Sequence, residues 1–295
     1  MYVQTPFGDY TKALCFLPGP RFTVSGTPFV VYLHGATANE RQMLQAPSPA
    51  TGMTLMLDTW LDRGWGVLSM RLGTTGVDES AGVYDVDNND GKWGNQPSRD
   101  ATAHVWEWLN RWCAPHSRGL AIMGFSAGGI HGWNALLRAK QLGVPISCFV
   151  SVDGAANMRD MYTPLNPARA HYGLNRKTQL RNAYALPSGV VVGDANWIAR
   201  VDVADGGHDP MRVPLESLPA VPVLLASSAS DTGVEQQANA MMMRDRLLGG
   251  GWATTIGNPV GVEPVLRWIT YSGGHGNSTH FLPNTYNPFI AGAFG

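Results

Sequence analysis

Apolar residues in this chain gather into short, almost uniformly hydrophobic blocks separated by longer stretches with apolar positions three or four apart. Thr27 to Leu33, Trp65 to Leu72, Leu120 to Met123, Ile146 to Val152, Val221 to Ser227 and Pro264 to Tyr271 are such blocks. They are four to eight residues long. Their length and their β-branched and aromatic content predict strands buried on both faces. The stretches between them predict helices. Ser48-Pro49 is an N-cap followed by a first-turn proline, Met53, Met56, Leu57, Trp60 and Leu61 follow at helical spacing, and Gly64 stops the run. Ser98 is placed as the cap of a second helix, with Ala101, Val105, Trp108, Leu109 and Trp112 along one face. Ile130 to Leu142, closed by Gly143 and Pro145, and Val234 to Leu248, closed by Gly249, complete the set. Met241-Met242-Met243 lies within the last of these and is read as core filling.

Strands that alternate with helices and are apolar on both faces predict an α/β fold with a mostly parallel central sheet flanked by helices. The rhythm breaks between residues 155 and 219, which carry prolines, Met158, Met161, Tyr162, Tyr172 and Trp197 without a strand–helix period. Long irregular segments inside a compact domain are usually functional. The expectation is one domain over residues 1–295 with an inserted cap or lid at 155–219.

Composition narrows the function. Charged residues make up 15% of the 295 positions, against about 25% in an ordinary globular protein. Lys+Arg is 21 and Asp+Glu 22, a net charge of -1. That balance excludes general electrostatic binding of nucleic acid, which needs a basic face. No apolar run approaches the roughly 18 residues of a membrane span. Cys15, Cys113 and Cys148 are odd in number and widely spaced, and are read as reduced, mostly buried thiols. Met1 to Tyr10 has no basic-then-apolar stretch of a secretory signal; the expectation is a soluble protein, cytoplasmic by default, with an external or envelope site left open. The 35 glycines are the exception to this blandness. They are well above an average usage of about 7%, and many cluster at three loops.

The first loop is Gly124-Phe125-Ser126-Ala127-Gly128, a G-x-S-x-G. The bare pattern carries little weight, but here an apolar strand precedes it and a helix opens at Gly129-Ile130. That is the strand–turn–helix setting in which a serine hydroxyl is presented at the carboxyl edge of a sheet. The helix behind Ser126 turns its positive end toward the site and favours an anion there. A serine hydroxyl needs a base, and the base an orienting carboxylate. Asp231 lies just beyond the strand ending at Ser227, and His275 stands in Ser272-Gly273-Gly274-His275-Gly276 after the strand ending at Tyr271. Ser, Asp and His thus occur in the chain order this topology requires. Asp231 has a rival in Asp153, after the Ile146–Val152 strand, and an alternative role as cap of the next helix. His275 has a rival in His280, placed at the start of the terminal helical segment.

On these residues the chain resembles the α/β-hydrolase superfamily, in its serine esterase/lipase and peptidase branch, over about residues 28 to 290. The resemblance implies Ser126 as nucleophile, His275 as general base and then acid, and Asp231 as its orienter. It implies an oxyanion hole of two backbone N–H groups, one from Ala127 and one from the loop Leu33-His34-Gly35-Ala36, where Gly35 and Ala36 are the candidates and Ala36 is preferred. Esterases with an H-G-G-G loop carry more glycine there; this chain has His34-Gly35-Ala36-Thr37, which leaves the second donor open. The activity implied is cleavage of a carboxylic ester, small or lipid-like, without a cofactor, and the same residues serve a peptidase equally well. A binding module that kept the fold and lost a member of the triad is the remaining alternative.

The other chemistry-bearing residues read more plainly. His34 braces its loop, and His104, His116, His131 and His171 show no pairing pattern. Asp85-Val86-Asp87-Asn88-Asn89-Asp90-Gly91 resembles the start of a calcium loop, but Asp90 occupies the sixth position where glycine is needed and Gln96 the twelfth where a bidentate Glu belongs. Asp202, Asp205, His208 and Asp209 form a second acidic cluster in the inserted segment. Serine chemistry needs neither, and no metal is assigned. Trp93-Gly94-Asn95 is expected to reach the pocket only by analogy.

Overall fold

The structure is a computed structural model that describes residues 2–4, 10–36, 38, 40–44, 50–71, 93–164, 170–261 and 263–295. Ser48-Pro49 and the acidic loop Asp85–Gly91 lie outside the described residues. In chain order the elements are β1 (Tyr2–Gln4), β2 (Tyr10–Phe16), β3 (Ser25–Leu33), α1 (Ala50–Asp62), β4 (Gly66–Met70), α2 (Gln96–Trp112), β5 (Ala114–Phe125), α3 (Ala127–Leu142) and β6 (Ile146–Val152). They continue with α4 (Met158–Tyr162), α5 (Ala170–Ala183), α6 (Ala195–Trp197), β7 (Val223–Ser228), α7 (Met242–Gly249), β8 (Ala253–Thr254), β9 (Val265–Tyr271) and α8 (Pro283–Phe294).

Nine strands among the described residues form one sheet in the order β1-β2-β4-β3-β5-β6-β7-β9-β8. β1 and β2 are antiparallel to their neighbours; every later pairing is parallel. Strict alternation along each strand sends one set of side chains to each face. Phe29, Val31, Leu33, Ile122, Phe149 and Leu225 pack with Val105 and Leu109 of α2, Trp133, Leu136 and Leu137 of α3, and Met243 and Leu247 of α7. Val30, Tyr32, Met123, Val150, Val152 and Leu224 pack with Met53, Met56, Leu57 and Trp60 of α1 and with Tyr286, Phe289 and Ile290 of α8. The six predicted strands are therefore β3, β4, β5, β6, β7 and β9.

Three differences have local causes. The first helix after the described break starts at Gln96, not Ser98, because the Asn95 side chain accepts from the Ser98 N–H and Pro97 occupies the first turn. At its far end the expected face runs out, and Trp112 is 70% exposed because the chain turns at once into β5. The predicted Val234–Leu248 helix begins as a wide π-turn over Gln237–Met241 before α7. That turn carries the buried Asn239, whose side chain accepts from the Ala156 and Asn157 N–H groups and donates to Asp160. The edge strands β1 and β8 were not expected, being only three and two residues long, and β2, which pairs with both β1 and β4, was missed although it carries the apolar run Ala13 to Phe16. The three cysteines are free thiols, with Cys113 and Cys148 buried and Cys15 half-buried. Burial pushes the Cys148 thiol up to about 12. Among the described residues no helix is long and apolar enough to cross a membrane.

Between β6 and β7 the described residues form helices and turns and no strand. This segment is tied to the turn Trp93-Gly94-Asn95. The Tyr184 hydroxyl donates to the Trp93 carbonyl at 2.7 Å, the Asn95 amide to Ala183 O at 3.0 Å, and His208 Nδ1–H to Gly94 O at 3.2 Å. From the other side, Gly94 N–H donates to Nδ1 of His131 on α3 at 3.0 Å. Both histidines sit where charging is disfavoured. Burial, then the neighbouring Arg99, brings His208 down to about 3, and burial, then His34, holds His131 well below its ordinary value.

Two predictions follow from this packing. Phe149 is fully buried with its ring 4.7 Å from that of Trp133, so Phe149→Ala should cost about 3–5 kcal/mol in a urea titration. The unfolded chain binds protons at His131 and His208 below about pH 6.5 while the folded chain does not until far lower. Their contribution therefore has stability falling as pH drops from about 6.5 toward about 3, where His208 charges in the folded chain. Urea titrations at a series of pH values should show that fall, and His208→Gln should make it shallower.

Candidate active site

The turn after β5 is built to hold one residue in an unfavourable backbone. Ser126 has φ 56° and ψ −121°, a region that non-glycine residues rarely adopt. It is held there by three backbone hydrogen bonds: Ser126 N–H to Val152 O, Gly129 N–H to Ser126 O, and Ala155 N–H to Ser126 O. The return path is so tight that a Cβ on Gly128 would lie 2.1 Å from the Leu33 carbonyl oxygen. Ala127 opens α3, so its N–H has no partner within the helix and lies beside the serine.

The structure brings Ser126, His275 and Asp231 together. His275 Nε2 is 2.8 Å from Ser126 Oγ, and His275 Nδ1 is 2.7 Å from Asp231 Oδ2. The Asp231 side chain is fully buried and the His275 side chain 26% exposed. Asp231 does not cap the next helical turn, which begins at Gln237 with Gln236 as its N-cap; its other oxygen accepts from Gly233 N–H at 2.6 Å and Val234 N–H at 2.8 Å in the bend that precedes it. The two sets of contacts fall on one carboxylate, one oxygen for each. The His275 ring stacks on Phe125, with centroids 5.5 Å apart. Beneath it, a Cβ on Gly233 would lie 2.5 Å from Cγ of the ring. Sequence reasoning missed Gly233; its signal was a glycine two residues beyond the acid candidate.

The loop after β3 lies against the same turn. A Cβ on Gly35 would stand 3.3 Å from the Phe125 ring and from Ser126 Cβ. Gly35 N–H faces Oε1 of Gln42 at 3.4 Å, and that oxygen also accepts from the Tyr32 hydroxyl at 2.9 Å. Gln42 is a second residue that sequence reasoning missed, since nothing in its spacing marks it. His34 Nδ1–H donates to the Gly35 carbonyl at 2.7 Å. Burial, opposed by that hydrogen bond, brings the His34 ring down to about 4 and keeps it neutral. Ala36 packs with Ala127, Trp93, Ile130, Met158, Met161 and Val234 in one apolar cluster that extends into Tyr162 and Trp197.

The two rival residues pair with each other. His280 Nδ1 is 2.7 Å from Asp153 Oδ2, and both side chains are fully buried. Asp153 is not the partner of His275, and His280 does not face Ser126. In the inserted segment Asp202 and Asp209 converge on Arg159, while His208 turns to Gly94. Asp202 meets Arg159 at 2.6 Å and the Trp197 indole N–H at 3.1 Å, while Asp209 accepts from Met211 N–H at 3.1 Å and lies 3.6 Å from Arg159. Burial pushes the Asp209 carboxyl up to about 6. The Asp205 side chain lies outside what is described.

No protein-family model matches the sequence, and no curated protein matches it either. Solved structures do. An esterase of Pyrococcus furiosus is similar over the whole of this chain and 88% of its own, with a TM-score of 0.57 at 13% identity. A hyperthermophilic esterase of the archaeon Pyrobaculum calidifontis is similar over 99% of this chain and 82% of its own, at TM-score 0.59 and 15% identity. A puromycin-hydrolysing peptidase of Mycobacterium tuberculosis gives a TM-score of 0.63 at 16% identity; it covers the whole of this chain, which spans only 39% of that protein. At these identities the likeness is one of architecture, and together with the strand order and the turn at Ser126 it shows that the chain has the α/β-hydrolase fold.

Proposed function

We propose that the protein is a serine hydrolase that cleaves a carboxylic ester through an acyl-serine intermediate. The observation that carries this reading is the continuous Ser126–His275–Asp231 contact, with both links under 3 Å. In the proposed reaction Ser126 Oγ attacks the ester carbonyl carbon while His275 Nε2 takes its proton. Asp231 holds His275 Nδ1–H and stabilises the imidazolium that forms. The carbonyl π-bond pair moves onto oxygen, giving a tetrahedral oxyanion. Ala127 N–H is proposed as one donor to that oxyanion. Ala36 N–H is proposed as the other, because Gly35 N–H is directed at Gln42. Each such donor is worth about 10²–10³ in rate. Collapse expels the alcohol, which receives the proton from His275. Water then gives its proton to His275, adds to the acyl carbon and releases the acid, restoring Ser126. The route needs no cofactor.

Residues 155–219 are proposed to serve as the cap. Met158, Met161, Tyr162, Trp197 and Val201 pack in one cluster with Trp93, Ala127, Ile130 and Val234, which supports a substrate with an apolar acyl or aromatic part. A peptidase is the second reading. It uses the same three residues, and the similarity to a puromycin-hydrolysing peptidase favours keeping it.

The purified protein should be labelled stoichiometrically by a fluorophosphonate, and Ser126→Ala should abolish both labelling and turnover, with kcat down by about 10⁴-fold or more. Folded protein that takes no label would sink the proposal. Asp231→Asn should keep the fold and lose about 10⁴-fold in kcat. A nitrophenyl ester series run beside peptide anilides separates the two readings, with esters expected to turn over at the higher kcat/KM.

A further inference from the structure

Behind the proposed triad lies a second acid–histidine pair that the mechanism above does not use. Asp153 follows β6 directly and sits at φ 44°, which turns its side chain away from the strand path and into the core. Its Oδ2 is 2.7 Å from His280 Nδ1 and accepts from Gly276 N–H at 3.1 Å. The other ring nitrogen of His280 is 2.9 Å from the Ser272 carbonyl oxygen. Those contacts bracket the loop from Ser272 to Gly276 that carries His275. Ser228 Oγ–H adds a third tether, donating to Gly273 O at 2.5 Å.

The proton inventory follows from what each atom can do. A carbonyl oxygen only accepts, so His280 Nε2 carries a proton and donates it to Ser272. Nδ1 faces a carboxylate oxygen that already accepts from Gly276. A ring whose two nitrogens both point at acceptors satisfies both when doubly protonated. The charge is needed as well. An oxygen of Asp153, an oxygen of Asp231 and a ring nitrogen of His275 all lie within 4.8 Å of one another. The second oxygen of Asp153 is buried without a hydrogen-bond partner among the described residues. Two buried carboxylates that close repel, and a cation between them and the surrounding core removes the conflict.

We propose that Asp153 and His280 form a buried carboxylate–imidazolium pair that positions the His275 loop and cancels the Asp153 charge beside Asp231 and His275. In this role both are positioning residues acting through His275, and the inference rests on the serine-hydrolase reading only for its kinetic consequence. The titratable groups facing His280 are Asp153 after β6, Asp231 after β7, Tyr271 of β9, stacked on the ring at 4.0 Å, and Tyr286 of α8, whose hydroxyl donates to the His280 carbonyl. α1 approaches through Gly52 against Phe281 and presents no charge there. Burial disfavours the charged His280 ring, but the hydrogen bonds to Asp153 and Ser272 and the two carboxylate charges outweigh it and raise its pKa.

The pair is tested first on the unaltered protein, by long-range nitrogen–proton correlation of its histidine rings at pH 7.5, with His280 assigned by its loss in His280→Gln. Two protonated ring nitrogens are expected. One protonated and one lone-pair nitrogen would overturn the proposal, whether or not the protein turns over any substrate. In Asp153→Asn the same ring should revert to a single protonated nitrogen. The kinetic arm uses the acid limb of kcat/KM. His280→Gln leaves the Asp153 carboxylate uncompensated near His275, favours the charged form of that base, and should move the limb upward by about one pH unit. Asp153→Asn removes the charge instead and should leave the limb at or below its original position. A limb unmoved in folded His280→Gln contradicts the proposal. A wild-type protein with no turnover and no fluorophosphonate labelling contradicts the hydrolase reading alone, and the ring spectra still decide the pair.

Discussion

The site depends on how closely the chain leaving β5 passes its neighbours. At Ser126 the backbone reverses between the ends of β3 and β6, close enough that the Leu33 carbonyl occupies the space a side chain at position 128 would need. Parallel pairing makes this possible. β5, β6, β7 and β9 all end at the same edge, so the residues that follow each of them meet there. The serine comes from the first of these ends, Asp153 from the second, Asp231 from the third and the His275 loop from the fourth. The unfavourable φ of Ser126 persists because hydrogen bonds from β6 and from Ala155 fix the peptide groups on either side of it.

The elements that make up this edge were legible in the sequence, and the elements far from it were not. The central residues of β3 to β7 are buried on both faces, so they form continuous apolar blocks with recognisable ends, and β9, although mostly half-buried, keeps such a block. β1 and β8, at the two edges, are only three and two residues long and leave no such trace; β2, between β1 and β4, opens on Tyr10-Thr11-Lys12 and carries only the short apolar run Ala13 to Phe16. Ser126, Asp231 and His275 could be read because each follows a predicted strand in an order that a parallel sheet brings together. Asp153 and His280 were visible only as competitors for those roles. That each would choose the other depends on the positive φ of Asp153 and the fold of the 272–280 loop, which are properties of three-dimensional packing. Gly233 and Gln42 act by shape and by one amide oxygen, and no periodicity marks either.

The scarcity of charge takes on a physical meaning beside this arrangement. His34, His131 and His208 are buried and held neutral, and each uses a ring nitrogen to bind backbone. Histidine here replaces what a Lys or Arg would do at greater desolvation cost, orienting loops by hydrogen bonds alone. Among the described residues the buried acidic and basic side chains other than histidine are Glu40, Arg99, Asp100, Asp153, Asp160, Asp209 and Asp231, and of these Asp153 and Asp231 follow strands that end at the same edge of the sheet as the serine turn.

The clasp at Trp93-Gly94-Asn95 bears on the cap proposed for residues 155–219. The segment between β6 and β7 is joined to this turn through Tyr184, Ala183 and His208. It is joined to the helices beneath through Asn134 to His208 O, Arg99 to Gly207 O and Lys140 to Leu218 O. Swinging it away as one body would break all six bonds, each worth about 0.5–1.5 kcal/mol. The segment is thus fastened at six points, three to the turn and three to the helices beneath. As the proposed cap, the segment would open only by giving up these contacts together.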